Sequence, residues 1–478
     1  MSTRKNTAYN MAYRVFSILL PLVTAPFLSR QVGQGGVGLY SYAWNISYFM
    51  CLAAMLGLEN YGTRAIAAVR DDREALNRTF SAIWRMQRSV AGAVLILWLA
   101  YVFLVSGEER SVALSLTLMS VSCLFNLDWA LMGLDQFKPI ALRNTFVKLL
   151  AAVCVFLFVR EVDDLWIYGF AWSAATALGC VLSALSLRGK VTLVRVTRGE
   201  AFRHLKPCAL LFVSVLAVSV YRVMDKVMVG AIAGMAENGL YENAEKIIYC
   251  LSGFISAVGT VMLPKISNLH KKGKTAEIRR HMDATMQGIL CMTNAMAFGV
   301  AAVADRLCPL FYGEDFTGSA RLMAPLAFTL VFIGFANVIR TQWILPQERD
   351  KIVIRSVCAG AAVNLFCNAL LIPSIGAMGA VLGTLAAEFT VPLMQWGFLS
   401  EELPYRTFLK YTGIYALVGA VMLGAVRLAG LWLPVTWPAL MLQMLLGVVL
   451  YAGLCLLIWK KTRSPLLRLL SLRKAIKH

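Results

Sequence analysis

Runs of roughly 20 apolar residues, repeated along the whole chain and separated by short polar connections, constrain this sequence more than any other feature. Within hydrocarbon every backbone amide must be satisfied internally, so a segment that crosses about 30 Å of bilayer has to be a helix of about that length. Fourteen such runs can be placed, near 10–30, 37–57, 84–106, 112–132, 139–159, 165–187, 208–232, 239–263, 284–304, 322–345, 352–371, 375–399, 408–428 and 437–459. Of the 478 residues 59% are hydrophobic and only 15% are charged, and the mean hydropathy is +0.67, far outside the soluble range. The expected fold class is therefore an all-α integral membrane protein of about 14 transmembrane helices. The polar stretches 58–83 and 188–207 are long enough for short surface helices.

Lysine and arginine set the orientation of such a chain. Of its 46 lysines and arginines, 34 fall at the amino terminus, in alternate connections and in the tail that begins at Lys460, while six fall in the opposite connections: Arg30, Arg110, Arg160, Arg306, Arg321 and Arg427. Both termini are expected on the cytoplasmic side, which requires an even number of spans. Fourteen satisfies this, as would twelve. The net charge of +20 is thereby accounted for by topology, with no nucleic-acid partner. The tail alternates cations with Leu466, Leu467, Leu469, Leu470 and Leu472, so it either lies on the anionic leaflet or serves topology alone.

The chain repeats itself at an offset of 201: Gly33 with Gly234, Gly38-Leu39-Tyr40 with Gly239-Leu240-Tyr241, Ile46 with Ile247, and Tyr48 with Tyr249. An offset of six spans leaves both copies in the same orientation. The pseudo-two-fold axis then runs along the membrane normal, and in transporters built this way the substrate site lies between two lobes near midplane. The domains expected are an N-terminal lobe at 1–206, a C-terminal lobe at 207–400, two additional helices at 401–460 and a basic tail at 461–478.

With Leu20-Pro21-Leu22, Pro26-Phe27-Leu28-Ser29-Arg30 and Gly57-Leu58-Glu59-Asn60-Tyr61-Gly62, and further on Met224-Asp225-Lys226-Val227-Met228-Val229-Gly230, Gly239-Leu240-Tyr241-Glu242-Asn243-Ala244-Glu245-Lys246-Ile247 and Val261-Met262-Leu263-Pro264-Lys265, the sequence resembles the Wzx-type oligosaccharide flippases. These belong to the polysaccharide transporter family, in one superfamily with multidrug and toxin extrusion proteins and the lipid II flippases of murein synthesis. The resemblance runs over most of residues 1–400. It implies export of an undecaprenyl-diphosphate-linked repeat unit from the cytoplasmic to the outer face of a bacterial inner membrane, for surface polysaccharide such as O-antigen. The polymerase and glycosyltransferases of the same pathway would be its partners.

Six cations sit inside otherwise apolar spans: Arg14, Lys148, Arg222, Lys226, Lys246 and Arg340. A charge at that depth costs from about 2.5 to more than 10 kcal/mol, which calls for a watery cavity or an anionic guest. They are the candidate substrate-binding residues. Arg222, Asp225 and Lys226 share one helical face at i, i+3 and i+4; pairing of Asp225 with one neighbour accounts for two of the three charges, and the remaining cation is the one to meet a diphosphate or an acidic sugar. Glu242 and Lys246 have the i, i+4 order of an intrahelical pair, leaving Glu245 to pair across the fold or to titrate. Asp128 in the fourth run is expected to pair with Lys148 in the fifth. Arg14 and Arg340 either snorkel to an interface or line an entrance, and Glu388 has no partner nearby in sequence. The carboxylates Asp128, Asp225, Glu242, Glu245 and Glu388 are the candidates for H⁺ or Na⁺ coupling. Pro21 and Pro26 should bend the first helix.

No P-loop, nucleophile elbow or metal-ligand set is present, so neither catalysis nor a bound cofactor is expected. The eleven cysteines are scattered through apolar runs without a C-x-x-C pair and read as core residues. All four histidines fall in polar connections. A cation-coupled drug exporter would need an acidic cavity, and a membrane glycosyltransferase or ligase a large outer loop. A lipid II flippase and a membrane scaffold for a glycan assembly complex stand as the other readings.

Overall fold

A computed structural model describes residues 3–462, with side chains from Leu20 to Lys461 except at positions 138, 214, 217 and 218. The described residues are helical with short connections and include no strand. Among the described residues, ten helices are long and apolar enough to cross a membrane. The basic tail beyond residue 462 lies outside the described residues, as does the side chain of Arg14.

Two compact units make up the chain, Met1–Gly239 and Leu240–His478. The first opens with α1 (Thr3–Met55), in which the first two apolar runs form two helices that meet at a kink. Backbone angles stay helical through Pro21 and Pro26 and leave the helical region at Gly33 (φ 64°, ψ −178°), a conformation that favours glycine. The kink at Gly33 thus falls between the first two apolar runs, and Pro21 and Pro26 lie inside the first of them. Then come α2 (Leu58–Val69), α3 (Arg73–Ala100), α4 (Arg110–Ser122), α5 (Asp128–Gly133), α6 (Phe137–Phe158), α7 (Leu165–Ser186), α8 (Arg198–Phe202) and α9 (Leu205–Ala233). The surface helices expected in 58–83 and 188–207 are α2 and α8. Although the repeat assigns α9 to the second half, it packs on α1 and α2.

The fourth apolar run is two helices, not one. Between α4 and α5 the carbonyls of Cys123, Leu124 and Asn126 face the interior, where an unpaired acceptor is costly. Gln87 of α3 resolves this with one buried amide: Nε2 donates to Cys123 O (2.7 Å) and Asn126 O (2.9 Å), and Oε1 accepts from Trp129 Nε1 (2.9 Å). Trp84 Nε1 supplies Leu124 O at 3.0 Å. Around Trp129, the side chains of Leu58, Ile66, Phe80, Ile83 and Met86 form a core.

The second unit contains most of α10 (Met235–Lys271), then α11 (Thr275–Tyr312), α12 (Ser319–Leu326), α13 (Thr329–Ile339), α14 (Asp350–Ile375), α15 (Ala377–Leu399), α16 (Tyr405–Gly430) and α17 (Trp437–Thr462). The tenth run lies within one span, Ser319–Gln347, which comprises α12, α13 and a π-helical turn at Arg340–Ile344. A hairpin at Gly376 (φ 60°) joins α14 to α15. Both of the last two helices pack against α11. Arg306, expected in an outer loop, caps the end of α16 by donating to Pro434 O (2.9 Å), Leu433 O (2.8 Å) and Gly430 O.

The repeat is visible in the backbone. Gly33 and Gly234 both take positive φ with extended ψ, at 64° and −178° and at 93° and 167°. Residues 34–38 and 235–239 then meet: a Cβ on Gly38 would lie well inside 3.0 Å of Met235 O, and one on Gly239 equally close to Gln34 O. Asn238 Nδ2 donates to Gly38 O at 2.8 Å.

Candidate functional site

In the first unit the charged face of α9 separates its three members. Asp225 is buried, at 3% exposure, while Arg222 is exposed and Lys226 lies between. Asp225 and Lys226 each have a polar or electrostatic partner. The guanidinium of Arg222 therefore stands open on a helix whose neighbouring residues are almost all apolar. Such a group is tolerated where water or an anion can reach it.

Asp128 does not find the lysine expected for it. Arg143 of α6 takes its carboxylate with both guanidinium nitrogens, Nη1 to Oδ1 and Nη2 to Oδ2, each at 2.8 Å. The same arginine donates to Gly179 O (3.0 Å) and Ser183 Oγ of α7, and Ser183 Oγ donates in turn to Asp128 Oδ1 at 2.6 Å. Arg143 is one of the 34 cations assigned by charge to the inner side, but its side chain is only 9% exposed. Its planar fork suits a bidentate carboxylate, a geometry that a lysine ammonium cannot offer. Lys148 is half-buried on the same helix and has a partner of its own. The arrangement locks α5, α6 and α7 together and takes Asp128 up in a structural pair.

In the second unit, Lys246 Nζ and Glu242 Oε1 are 3.2 Å apart within α10, the pair the spacing predicts. Glu245 and Glu388 are partly buried and engaged. Arg340 opens the π-helical turn, a local widening of the helix that recurs at functional positions. The second unit also buries a set of amides that sequence reasoning missed: Gln287, Asn294, Asn337, Gln342, Asn364 and Asn368. The signal was available, because amides at helical spacing inside apolar runs, such as Asn364 and Asn368, are as unusual there as charges. Asn368 Nδ2 donates to Asn364 Oδ1 at 3.3 Å. A cavity of about 280 Å³ lies apart from every predicted site residue, lined by Arg279, Asp283, Glu401, Glu402 and Phe408 among others.

One histidine also departs from expectation. His204, read as part of a polar connection, is 5% exposed between α8 and α9. Arg203 Nε donates to its Nε2 at 3.3 Å, so the ring proton sits on Nδ1 and is donated to Tyr61 Oη of α2 at 2.6 Å.

Residues 3–270 match the family described as "Polysaccharide biosynthesis protein", more than half of the chain. The chain belongs to this polysaccharide biosynthesis family. Among its relatives is a protein named "Putative O-antigen transporter" in Escherichia coli (strain K12), 23% identical over 84% of this chain and 98% of that one. Its namesake in Shigella dysenteriae is 21% identical over 78% of this chain and 94% of its own. Among solved structures the lipid II flippase MurJ, in an inward closed conformation, superimposes with a TM-score of 0.77 at 18% identity, over 97% of this chain and all of that one. An inward-facing multidrug transporter of the MATE family gives 0.60 at 13% identity, over 81% of this chain and 94% of its own. The polysaccharide biosynthesis protein thus shares its fold with lipid and drug exporters.

Proposed function

We propose that the protein is a flippase that carries undecaprenyl-diphosphate-linked oligosaccharide repeat units across the cell membrane, from the cytoplasmic to the outer face, by alternating access. Membership of the polysaccharide biosynthesis family and the O-antigen transporters among its relatives support the substrate class. The observation that carries the reading is the open guanidinium of Arg222 beside an Asp225 that is buried and already engaged. Arginine's donor fork matches phosphate oxygens, and its charge offsets that of the headgroup as it leaves water. Lys226, Lys246, Lys148, Arg14 and Arg340 extend the set of cations available to the diphosphate and to acidic sugars. The isoprenoid tail stays in the bilayer while headgroup and glycan pass through the protein.

Coupling to H⁺ or Na⁺ falls to Asp225, Glu242, Glu245 and Glu388, whereas Asp128 is committed to Arg143. The excess of cations in the connections assigned to the inner side supports cytoplasmic termini. Neighbouring steps belong to the glycosyltransferases that build the repeat unit and the polymerase that consumes it. Likeness to the lipid II flippase rests on fold at 18% identity and carries no substrate.

The test is transport of polyprenyl-diphosphate oligosaccharide by reconstituted protein. Arg222→Ala and Lys226→Ala should each lower the rate at least about tenfold, a lost charge-assisted contact being worth about 1.5–3 kcal/mol. Protein abundance should stay normal. Undiminished transport in both variants, or movement of free drugs but not of lipid-linked sugars, defeats the proposal.

A further inference from the structure

The segment between α7 and α8 is an extended strap laid along α3. Asn77, Ser81 and Arg85 occupy successive i, i+4 positions on one face of α3, and they hold residues 192, 194 and 196 in order. Thr192 N donates to Asn77 Oδ1 (2.7 Å), Val194 N donates to Ser81 Oγ (3.0 Å), and Arg85 Nη1 donates to Val196 O. The match is one of pitch: four helical residues rise about 6 Å and two extended residues about 6.6 Å. At its far end Thr197 caps α8, with Glu200 Oε2 accepting from Thr197 N (2.7 Å) and Glu200 Oε1 accepting from Arg78 Nε of α3 (2.7 Å). With its backbone pinned on one side, the strap presents a fixed outer surface.

That surface is cationic and apolar at once. Residues 188–206 contain six cations and one acid, Glu200, which is spent on Arg78. Arg188, Arg195 and Arg198 are exposed. Leu193, Phe202 and Val194 are also open, at 58%, 42% and 40% exposure. The strap leaves α7 at Ser186 and reaches α9 at Leu205, so it lies where two helices of the bundle end. A dissolved phosphate would have no use for the open leucine and phenylalanine. A bilayer surface would, because apolar side chains enter the acyl boundary while arginines stay among the headgroups.

We propose that the strap at 188–206 is a docking surface for the anionic phospholipid headgroups of the adjoining leaflet, preorganised by the Asn77–Ser81–Arg85 ladder. Its occupant is the membrane surface, and the proposal is independent of the transported substrate.

Hydrogen exchange on the full-length protein tests it, in nanodiscs of phosphatidylcholine alone and of phosphatidylcholine with phosphatidylglycerol. Exchange across 188–206 should slow by about an order of magnitude when phosphatidylglycerol is present, since each cation near an anionic surface contributes roughly a fivefold preference. High salt should reverse the slowing. The variant Arg188→Gln, Arg195→Gln, Arg198→Gln removes three exposed charges and should abolish the lipid dependence, with exchange in α11 unchanged as the internal reference. Equal exchange in the two bilayers, or a lipid dependence that survives in the triple variant, overturns the proposal.

Discussion

Gly38 and Gly239, 201 positions apart, each press a bare Cα against the backbone of the other's segment. Gly38 faces Met235 O and Gly239 faces Gln34 O, and positions 34 and 235 are themselves 201 apart. The contact is therefore reciprocal, and each glycine is required by its counterpart. A methyl group on either meets backbone, which cannot rotate away as a side chain can. Gly38→Ala and Gly239→Ala should each destabilise by more than the roughly 1–3 kcal/mol of ordinary overpacking. Gly413→Ala, on the open face of α16 with no atom within 4 Å, should be neutral. The thermal midpoint and the monodisperse fraction in detergent would show the contrast; a Gly38→Ala protein as stable as Gly413→Ala would refute the contact.

The Asp128–Arg143 pair is bidentate and mostly buried, with side chains 22% and 9% exposed. Removing one partner strands the other, so Arg143→Met should cost about 3–5 kcal/mol. Asp128→Asn combined with Arg143→Met should cost less than the two changes summed. A double-mutant cycle on thermal unfolding measures the coupling, expected above about 1 kcal/mol for contacting residues; additive effects would show that the pair contributes no coupling.

His204 links stability to pH. Burial first, and then the positive charge of Arg203, hold its imidazole below the usual histidine range. The folded form thus binds a proton less readily than the unfolded chain, so unfolding takes up a proton as the pH drops. The stabilisation is complete above about pH 6.5, the unperturbed value, and is lost as pH falls through the lower folded value. Between pH 8 and pH 5 the wild-type midpoint should therefore drop more steeply than that of His204→Gln, in which the Tyr61 contact no longer titrates. Parallel curves would place the pH dependence elsewhere.

Glycines and charges were the legible parts of this chain. The 201-residue offset led from sequence directly to two glycines with positive φ, and the spacing of Glu242 and Lys246 led to their ion pair. Hydropathy could not show that the fourth run is broken, because a break repaired by side chains is as apolar as an intact helix. Arg143 was hidden for a related reason. Its place beside the polar Gln136–Lys138 stretch made it look solvated, and only the fold brings Asp128 and Ser183 to it. The face shared by Arg222, Asp225 and Lys226 could be read, but not which of the three turns inward.

Gln87 closes the break in the fourth run, and its loss should be severe for a neutral side chain. Gln87→Leu has similar volume but supplies no donor, so the carbonyls of Cys123 and Asn126 and the indole of Trp129 would all lose a partner. Each buried polar group left unsatisfied costs about 1–3 kcal/mol. The sum would equal a large part of the stability of an ordinary domain. Gln87→Glu retains an acceptor for Trp129 Nε1 but puts carboxylate oxygens against the two carbonyls, so it should be no better. Gln87→His, with one ring nitrogen able to donate, should recover part of the loss. The order wild type, His, then Leu and Glu in thermal midpoint would support the repair role. A Leu variant at wild-type stability would mean that water reaches the break and satisfies the carbonyls without Gln87.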